Sequence, residues 1–331
     1  NMRGERALIA RIRERLGPPP SWVRIGIGDD AAVVEPERNA LEVLTTDTLV
    51  EGVHWDPRFC STADVGHKSL AVNLSDLAAM GASPRAALLS LSIRPDWAED
   101  AADAFLEAFA SLAREQGVAV VGGNVTSSPG PAMISVTATG SVRPRRVLTR
   151  SGARPGDDLY VTGSVGSGLA GLLWLQRHPS LDTPSDPGLA ACVLRYRRPA
   201  PRVRTGLLLG KNRIASACID LSDGLADGVR QIAEGSGTGA RLEGQLLPID
   251  GGAAAALREC GEDPLAAAVR GGDDYELLFA VPPRRRRALE AIKGLTRGVP
   301  ITRVGTLTAG GGLVLVRDNR DETLPEGFAH F

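Results

Sequence analysis

The chain has 331 residues, 43% of them apolar and 23% charged, with a formal net charge of −1. That is enough chain for a large core divided over two domains, and the near-neutral balance leaves no global basic field to gather nucleic acid. No apolar run is long enough to span a bilayer and no charged-then-apolar leader is visible, so the expectation is a soluble cytoplasmic protein that engages neither nucleic acid nor membrane. The cysteines Cys60, Cys192, Cys218 and Cys260 form no CxxC pair and read as small core hydrophobes in a reducing compartment.

In chain order, the pattern predicts a helix over 5–16, stopped by Gly17 and the prolines after it. A buried strand follows over 41–44, then a helix capped by Ser61 or Thr62 and running to Met80, with Gly81 as its stop. Residues 86–93 read as strand, Asp96 as the cap of a helix to about Gln116, and 118–121 and 134–139 as further strands. The tract 125–130 reads as a loop. A domain boundary is expected where Arg, Pro and Gly gather over 143–155, giving domains 2–147 and 148–331.

Beyond the boundary, a strand at 159–161 leads through the glycine loop 163–168 into a helix over 169–175. Helices are expected over 188–196 and 202–209, a strand ending at Asp220, a helix from about 223 to 234, and strands near 275–281, 301–305 and 313–316. The run Arg284 to Arg287 follows two prolines and reads as a solvated helix start.

Two acidic tracts flank the first buried strand: Gly26-Ile27-Gly28-Asp29-Asp30 before it, and Thr45-Thr46-Asp47 through Glu51 and His54 after it. Asp and Thr oxygens beside glycine turns, with no Cys/His metal pattern, suit hard cations such as Mg2+. Asp76 lies on a strongly apolar helix, where a carboxylate needs a partner or a metal, and shares a face with Asn73. Asp220-Leu221-Ser222-Asp223-Gly224 places acids at a strand end and a helix start, a setting that also favours anions. Gly271-Gly272-Asp273-Asp274-Tyr275-Glu276 repeats the style, with a solvated turn the favoured reading for Asp273. The loop 163–168 has the wrong glycine spacing for a dinucleotide fingerprint, and Gly66-His67-Lys68-Ser69 is no P-loop.

Taken together, these tracts, with Lys68 through Ala82, Leu148 through Ala153 and the terminal Gly327-Phe328-Ala329-His330-Phe331, resemble thiamine-monophosphate kinase, and the resemblance runs nearly end to end. It implies a two-domain PurM-like fold of α/β and α+β layers, with an N-terminal mixed-sheet domain that binds ATP and Mg2+ and dimerises through its sheet. The C-terminal α+β domain would complete the homodimer's protomer. By position, Asp30, Thr45, Thr46, Asp47, Asp76, Asp220 and Asp223 would coordinate several Mg2+ ions. Gly123, Asn124, Arg150 and Ser222 would contact ATP, and His54, Glu276 and Phe328 would hold thiamine phosphate. Asp47, Asp76 and Arg150 would carry catalysis. Many relatives have Asp where this chain has Asn124, which can still offer a carbonyl oxygen to metal but lowers the local charge by one.

The activity implied is ATP-dependent phosphorylation of thiamine phosphate to thiamine diphosphate. A phosphate monoester has its second pKa near about 6, so the acceptor is largely a dianion at neutral pH and no general base is required. The physical obstacle is charge: two unit charges ~4 Å apart at an effective dielectric of about 20 already repel by ~4 kcal/mol. Rival expectations are another ATP-dependent synthetase of the superfamily and a non-catalytic nucleotide or thiamine diphosphate sensor.

Overall fold

The protein is described by a computed structural model covering residues 5–97 and 99–326. The chain divides into two compact units, the first of residues up to 77 with 83–144, the second of 78–82 with 145 onward.

The first unit opens with α1 (Glu5–Leu16), which buries Leu8 and Ile12, and a two-stranded ribbon of β1 (Val23–Ile25) and β2 (Val33–Val34). Then come β3 (Leu41–Val50), α2 (Thr62–Ala79), β4 (Ser83–Ile93), α3 (Glu99–Gln116), β5 (Ala119–Ser127) and β6 (Met133–Val142). The four longer strands form one sheet in the order β3-β6-β4-β5, antiparallel except for the β4/β5 pair that α3 connects. A capping box starts α2: Ser61 N–H and Oγ–H donate to Asp64 Oδ2 at 3.0 and 2.8 Å, and Ser61 Oγ accepts from Asp64 N–H at 3.2 Å. Helix α3 carries Glu99 and Asp100 in its first turn and Arg114 in its last, matching the helix dipole, and buries Phe105, Leu106, Phe109 and Leu112 at helical spacing.

Strand β3 runs much further than the sequence pattern predicts. Thr45, Thr46 and Asp47 lie in mid-strand rather than at a strand end. Thr and Val are β-branched and fit the pleat, and the ladder to β6 is unbroken from Leu41↔Val142 to Val50↔Met133. The tract after Asn124, expected as loop, likewise continues β5 to Ser127.

The second unit contains β7 (Asp158–Thr162), α4 (Ser167–Arg177), α5 (Pro187–Arg197), α6 (Val203–Lys211), β8 (Ala217–Asp220), α7 (Leu225–Ser236) and β9 (Gly239–Glu243). It continues with α8 (Gly251–Glu259), α9 (Pro264–Arg270), β10 (Leu277–Val281), α10 (Arg286–Lys293), β11 (Ile301–Thr308), β12 (Leu313–Arg317) and β13 (Arg320–Thr323). The seven strands form a sheet in the order β13-β12-β9-β11-β7-β10-β8, antiparallel save for β12/β9. Leu225, Val229 and Ile232 of α7 pack on Leu159, Val161, Ile219, Leu242, Leu278 and Leu307 of the sheet, and a smaller cluster joins α4, α5, α8 and α9. The helices α8 and α9 escaped the sequence pattern because they are short and their apolar residues are mostly alanine, and β9 and β13 because five and four residues, the latter all polar and exposed, carry no readable alternation.

All four cysteines are free and buried, as expected of small core hydrophobes, and burial pushes the Cys192 thiol up to about 11. Among the described residues, no helix is long and apolar enough to cross a membrane.

Candidate active site

In the first unit the period-2 pleat sorts the Thr45-Thr46-Asp47 tract onto two faces. Thr45 and Asp47 pair with Ala138 and Val136, whose side chains are buried, and so face the core side of the sheet. There Thr45 Oγ1 donates to Asp76 Oδ2 at 2.5 Å. Asp76 is half-buried on α2, between Ser75 and Leu77, which are enclosed. Thr46 points the opposite way, its hydroxyl 3.2 Å from the Val136 carbonyl and 3.1 Å from Thr137 Oγ1. Asn124 is exposed and pairs with Ser90, on that same opposite face, while its neighbour Val125 is buried. The structure therefore brings Thr45, Asp47 and Asp76 to one face and leaves the side chains of Thr46 and Asn124 off it.

Asp29 and Asp30 stay exposed in a tight turn, where Asp30 N–H donates to Asp29 Oδ1 at 2.9 Å. His54 is folded back on its own strand: Val50 N–H donates to its Nδ1 at 3.0 Å, and its carbonyl accepts from the buried Lys68 at 3.4 Å. Gly123 is exposed on β5. Among the described residues no three Asp, Glu, His or Cys side chains converge closely enough to hold a metal ion by themselves.

In the second unit the candidate residues lie on loops or at a strand end. The backbone of 220–224 zips against 271–276 through Leu221 N–H to the Glu276 carbonyl (2.8 Å), Tyr275 N–H to the Leu221 carbonyl (2.9 Å) and Asp273 N–H to the Ser222 carbonyl (2.8 Å). Gly224 takes the N-cap of α7; of the residues just before it, Ser222 is exposed and Asp223 half-buried. Asp220 is buried at the end of β8. Arg150 is exposed and donates from Nη1 to Gln231 Oε1 at 2.5 Å, and Gln231 in turn donates to Asp227 Oδ2.

Glu276 sits in surroundings that the sequence pattern does not anticipate. Its side chain is fully enclosed, accepting the Thr162 hydroxyl at 2.6 Å and the Arg202 guanidinium through both carboxylate oxygens, with Arg195 Nη1 in ion-pair contact at 3.1 Å but not hydrogen-bonded. Gly163, at φ +60°, passes so close that a Cβ there would lie 2.1 Å from Glu276 Oε1. A carboxylate enclosed and paired in this way ties β7, the α5–α6 segment and β10 together, which is the work of a structural anchor.

The acid before it differs again. Asp274 is enclosed and accepts Gly166 N–H at 2.7 Å and Gly168 N–H at 3.0 Å, joining the glycine loop at the start of α4. Burial pushes its carboxyl up to about 7 against the pull of those two amides, with Glu276 adding to the rise and Arg195 opposing it. Asp273, read from sequence as a solvated turn, is half-buried at φ +64°, and Tyr275 sits at φ +50°. Left-handed conformations at non-glycine residues cost on the order of 1–3 kcal/mol each and persist where the surroundings impose them. Asp273, Asp274, Arg195 and Arg202 are absent from the sequence-derived site. The glycine-acid repeat at 271–274 and the arginines bracketing Pro199 and Pro201 were the available signals. Phe328 lies outside the described residues.

Comparison with known proteins fixes the class. Residues 28–142 match the family AIR synthase related protein, N-terminal domain, and residues 154–318 match AIR synthase related protein, C-terminal domain. The protein thus has the two-domain PurM-like fold. The thiamine-monophosphate kinase of Escherichia coli (strain K12) is 40% identical over 331 residues, 99% of this chain and 98% of that one. The crystal structure of thiamine-monophosphate kinase from Stenotrophomonas maltophilia K279a is 39% identical, with a TM-score of 0.85 over 96% of this chain and 98% of that one. A structure of AaThiL complexed with AMPPCP and TMP is 31% identical, with a TM-score of 0.78 over 99% of this chain and 97% of that one. The chain belongs to the thiamine-monophosphate kinase family.

Proposed function

We propose that the protein transfers the γ-phosphoryl group of ATP to thiamine monophosphate, forming thiamine diphosphate in the biosynthesis of that cofactor. The reading is carried by near-complete coverage of thiamine-monophosphate kinases at 40% identity, together with a relative of the same fold bound to an ATP analogue and TMP. The transfer is direct and in line, without a phosphoenzyme, because the acceptor phosphate is already a dianion and serves as its own nucleophile.

Mg2+ fits the donor chemistry of the first unit. Thr45, Asp47 and Asp76 offer hard oxygens on one face, and Mg2+ is commonly held by one or two carboxylates with the remaining positions filled by water and substrate phosphate. Asp30 in that unit, and Asp220 and Asp223 in the other, are the further carboxylates proposed for cations. The side chains of Thr46 and Asn124 lie on the opposite face of the sheet, which weighs against them as side-chain ligands. When bound, the ion neutralises phosphate charge and aligns donor and acceptor.

Gly123 and Asn124 in the first unit and Arg150 and Ser222 in the second are the proposed ATP contacts, Arg150 as a phosphate clamp. His54 is kept on the acceptor side. There Asp273 takes the role first expected of Glu276, because it is the half-buried carboxylate beside the exposed Ser222. A homodimer built on the outer sheet face of the first unit is supported by Leu44, Leu88 and Met133, which are exposed on one face of β3, β4 and β6. Free buried cysteines favour a cytoplasmic location.

The test is purified protein with ATP, Mg2+ and thiamine monophosphate, followed for thiamine diphosphate. Conversion is expected. Tight binding of both compounds without product would replace the reading by a nucleotide or thiamine sensor.

A further inference from the structure

The acid that the mechanism does not use is Asp274. It has no route to a ligand, since its side chain is enclosed and both oxygens are occupied by main-chain amides of the glycine loop. Its position is nevertheless particular. It stands between two left-handed residues, Asp273 and Tyr275, and the stretch it belongs to is held from three sides. The 220–224 loop takes the amides of Asp273 and Tyr275, Arg195 and Arg202 take the carboxylate of Glu276, and the start of α4 is tied to Asp274 itself. The α4 side of this arrangement closes tightly on Asp273: a Cβ at Gly168 would lie 2.4 Å from the Asp273 carbonyl oxygen.

We propose that Asp274 is a positioning residue for acceptor binding: by accepting both Gly166 and Gly168 amides it docks the 271–276 loop on the start of α4 and holds Asp273 in its left-handed conformation beside Ser222. The inference rests on the assignment of Asp273 to the thiamine monophosphate side. The chemistry of the interaction explains why the residue is an acid. Ionised or protonated, the acid presents an oxygen lone pair to each of two amides, whereas an amide side chain of the same shape presents one acceptor and one donor, so one glycine N–H would face another N–H. The loop would then lose one of its docking points and Asp273 its imposed geometry, while Gly123, Asn124 and Arg150 keep their surroundings and Ser222 is reached only through its main-chain carbonyl.

Asp274→Asn in the full chain tests this by separating the two substrates. The expected result is a rise in KM for thiamine monophosphate on the order of 10- to 100-fold, the scale of a displaced binding group, with kcat and the KM for ATP each within about threefold of wild type. Unchanged constants, or equal rises for both substrates, overturn the proposal. Should Asp274→Asn fail to fold, Gly168→Ala reads the same split, because its Cβ pushes on the Asp273 carbonyl directly. A second measurement needs no substrate: amide hydrogen exchange at Gly166 or Gly168 should be at least about tenfold faster in Asp274→Asn, whereas wild-type rates overturn the clamp. Absence of turnover in the wild type defeats the functional assignment instead, and the exchange rates still decide whether Asp274 docks the loop.

Discussion

Asp76 in the first unit and Glu276 in the second are both carboxylates set among apolar side chains, yet their surroundings give them opposite uses. Asp76 takes a hydroxyl from Thr45, keeps part of its surface open, and shares a sheet face with Asp47. Glu276 is enclosed and takes two guanidiniums and a hydroxyl. The difference teaches that acid content is not a measure of metal-binding capacity. A carboxylate enclosed between two arginines has less to offer a cation than one that keeps exposed surface. Asp158 on β7 repeats the second pattern: burial alone would raise its pKa, but the guanidiniums of Arg286 and Arg303 outweigh it and hold the carboxyl below the usual range.

The sharpest test of the contrast removes one acid from each class. Asp47→Ala or Asp76→Ala should lower kcat/KM by a factor on the order of 10³ or more while the thermal midpoint stays within a few degrees of wild type. Glu276→Gln should do the reverse in kind, costing about 3–5 kcal/mol of unfolding free energy in urea titrations, because it leaves two largely buried guanidiniums without their carboxylate. A Glu276→Gln protein of wild-type stability that had lost affinity for thiamine monophosphate would return Glu276 to the substrate side and break the comparison.

Smaller effects sharpen it. Leu44→Asp combined with Leu88→Asp should convert the proposed dimer to a monomer in light scattering, and a mass unchanged from wild type would remove the outer sheet face as the interface. Protonation separates the structural acids from one another. Asp274 is raised from 3.8 in the unfolded chain to about 7, so the folded state holds a proton that the unfolded chain releases. Its contribution to stability is full below about 4 and is lost as pH rises through about 7. Asp158, held low by its arginines, contributes above its unfolded value and loses that contribution in acid. Asp274→Asn should therefore flatten the decline in stability between those pH values, and Asp158→Asn should weaken the acid limb, both read from unfolding midpoints across pH. The groups facing Asp274 are Glu276 and Arg195, with the Cys192 thiol nearby. Cys192, raised to about 11, stays protonated throughout that window.

Much of the fold was legible because long amphipathic segments carry their own period. Helix α1 spans the predicted residues, and α3, with its apolar stripe, ends at the predicted Gln116. The family was legible because Thr45 through His54, the Asp76 helix and the Asp220 to Gly224 tract occur together in order. Residue type also determined that the donors proposed for a cation are oxygens. Which acids remain open was decided only by the tertiary structure. Thr46 parts from Thr45 because a strand alternates its faces, and the sequence pattern ended that strand too early. Glu276 is enclosed because Arg195 and Arg202, some 70 to 80 residues earlier in the chain, converge on it. Local sequence specifies the charge a residue can carry; the partners that consume that charge arrive from distant segments, and only the folded chain brings them within hydrogen-bonding distance.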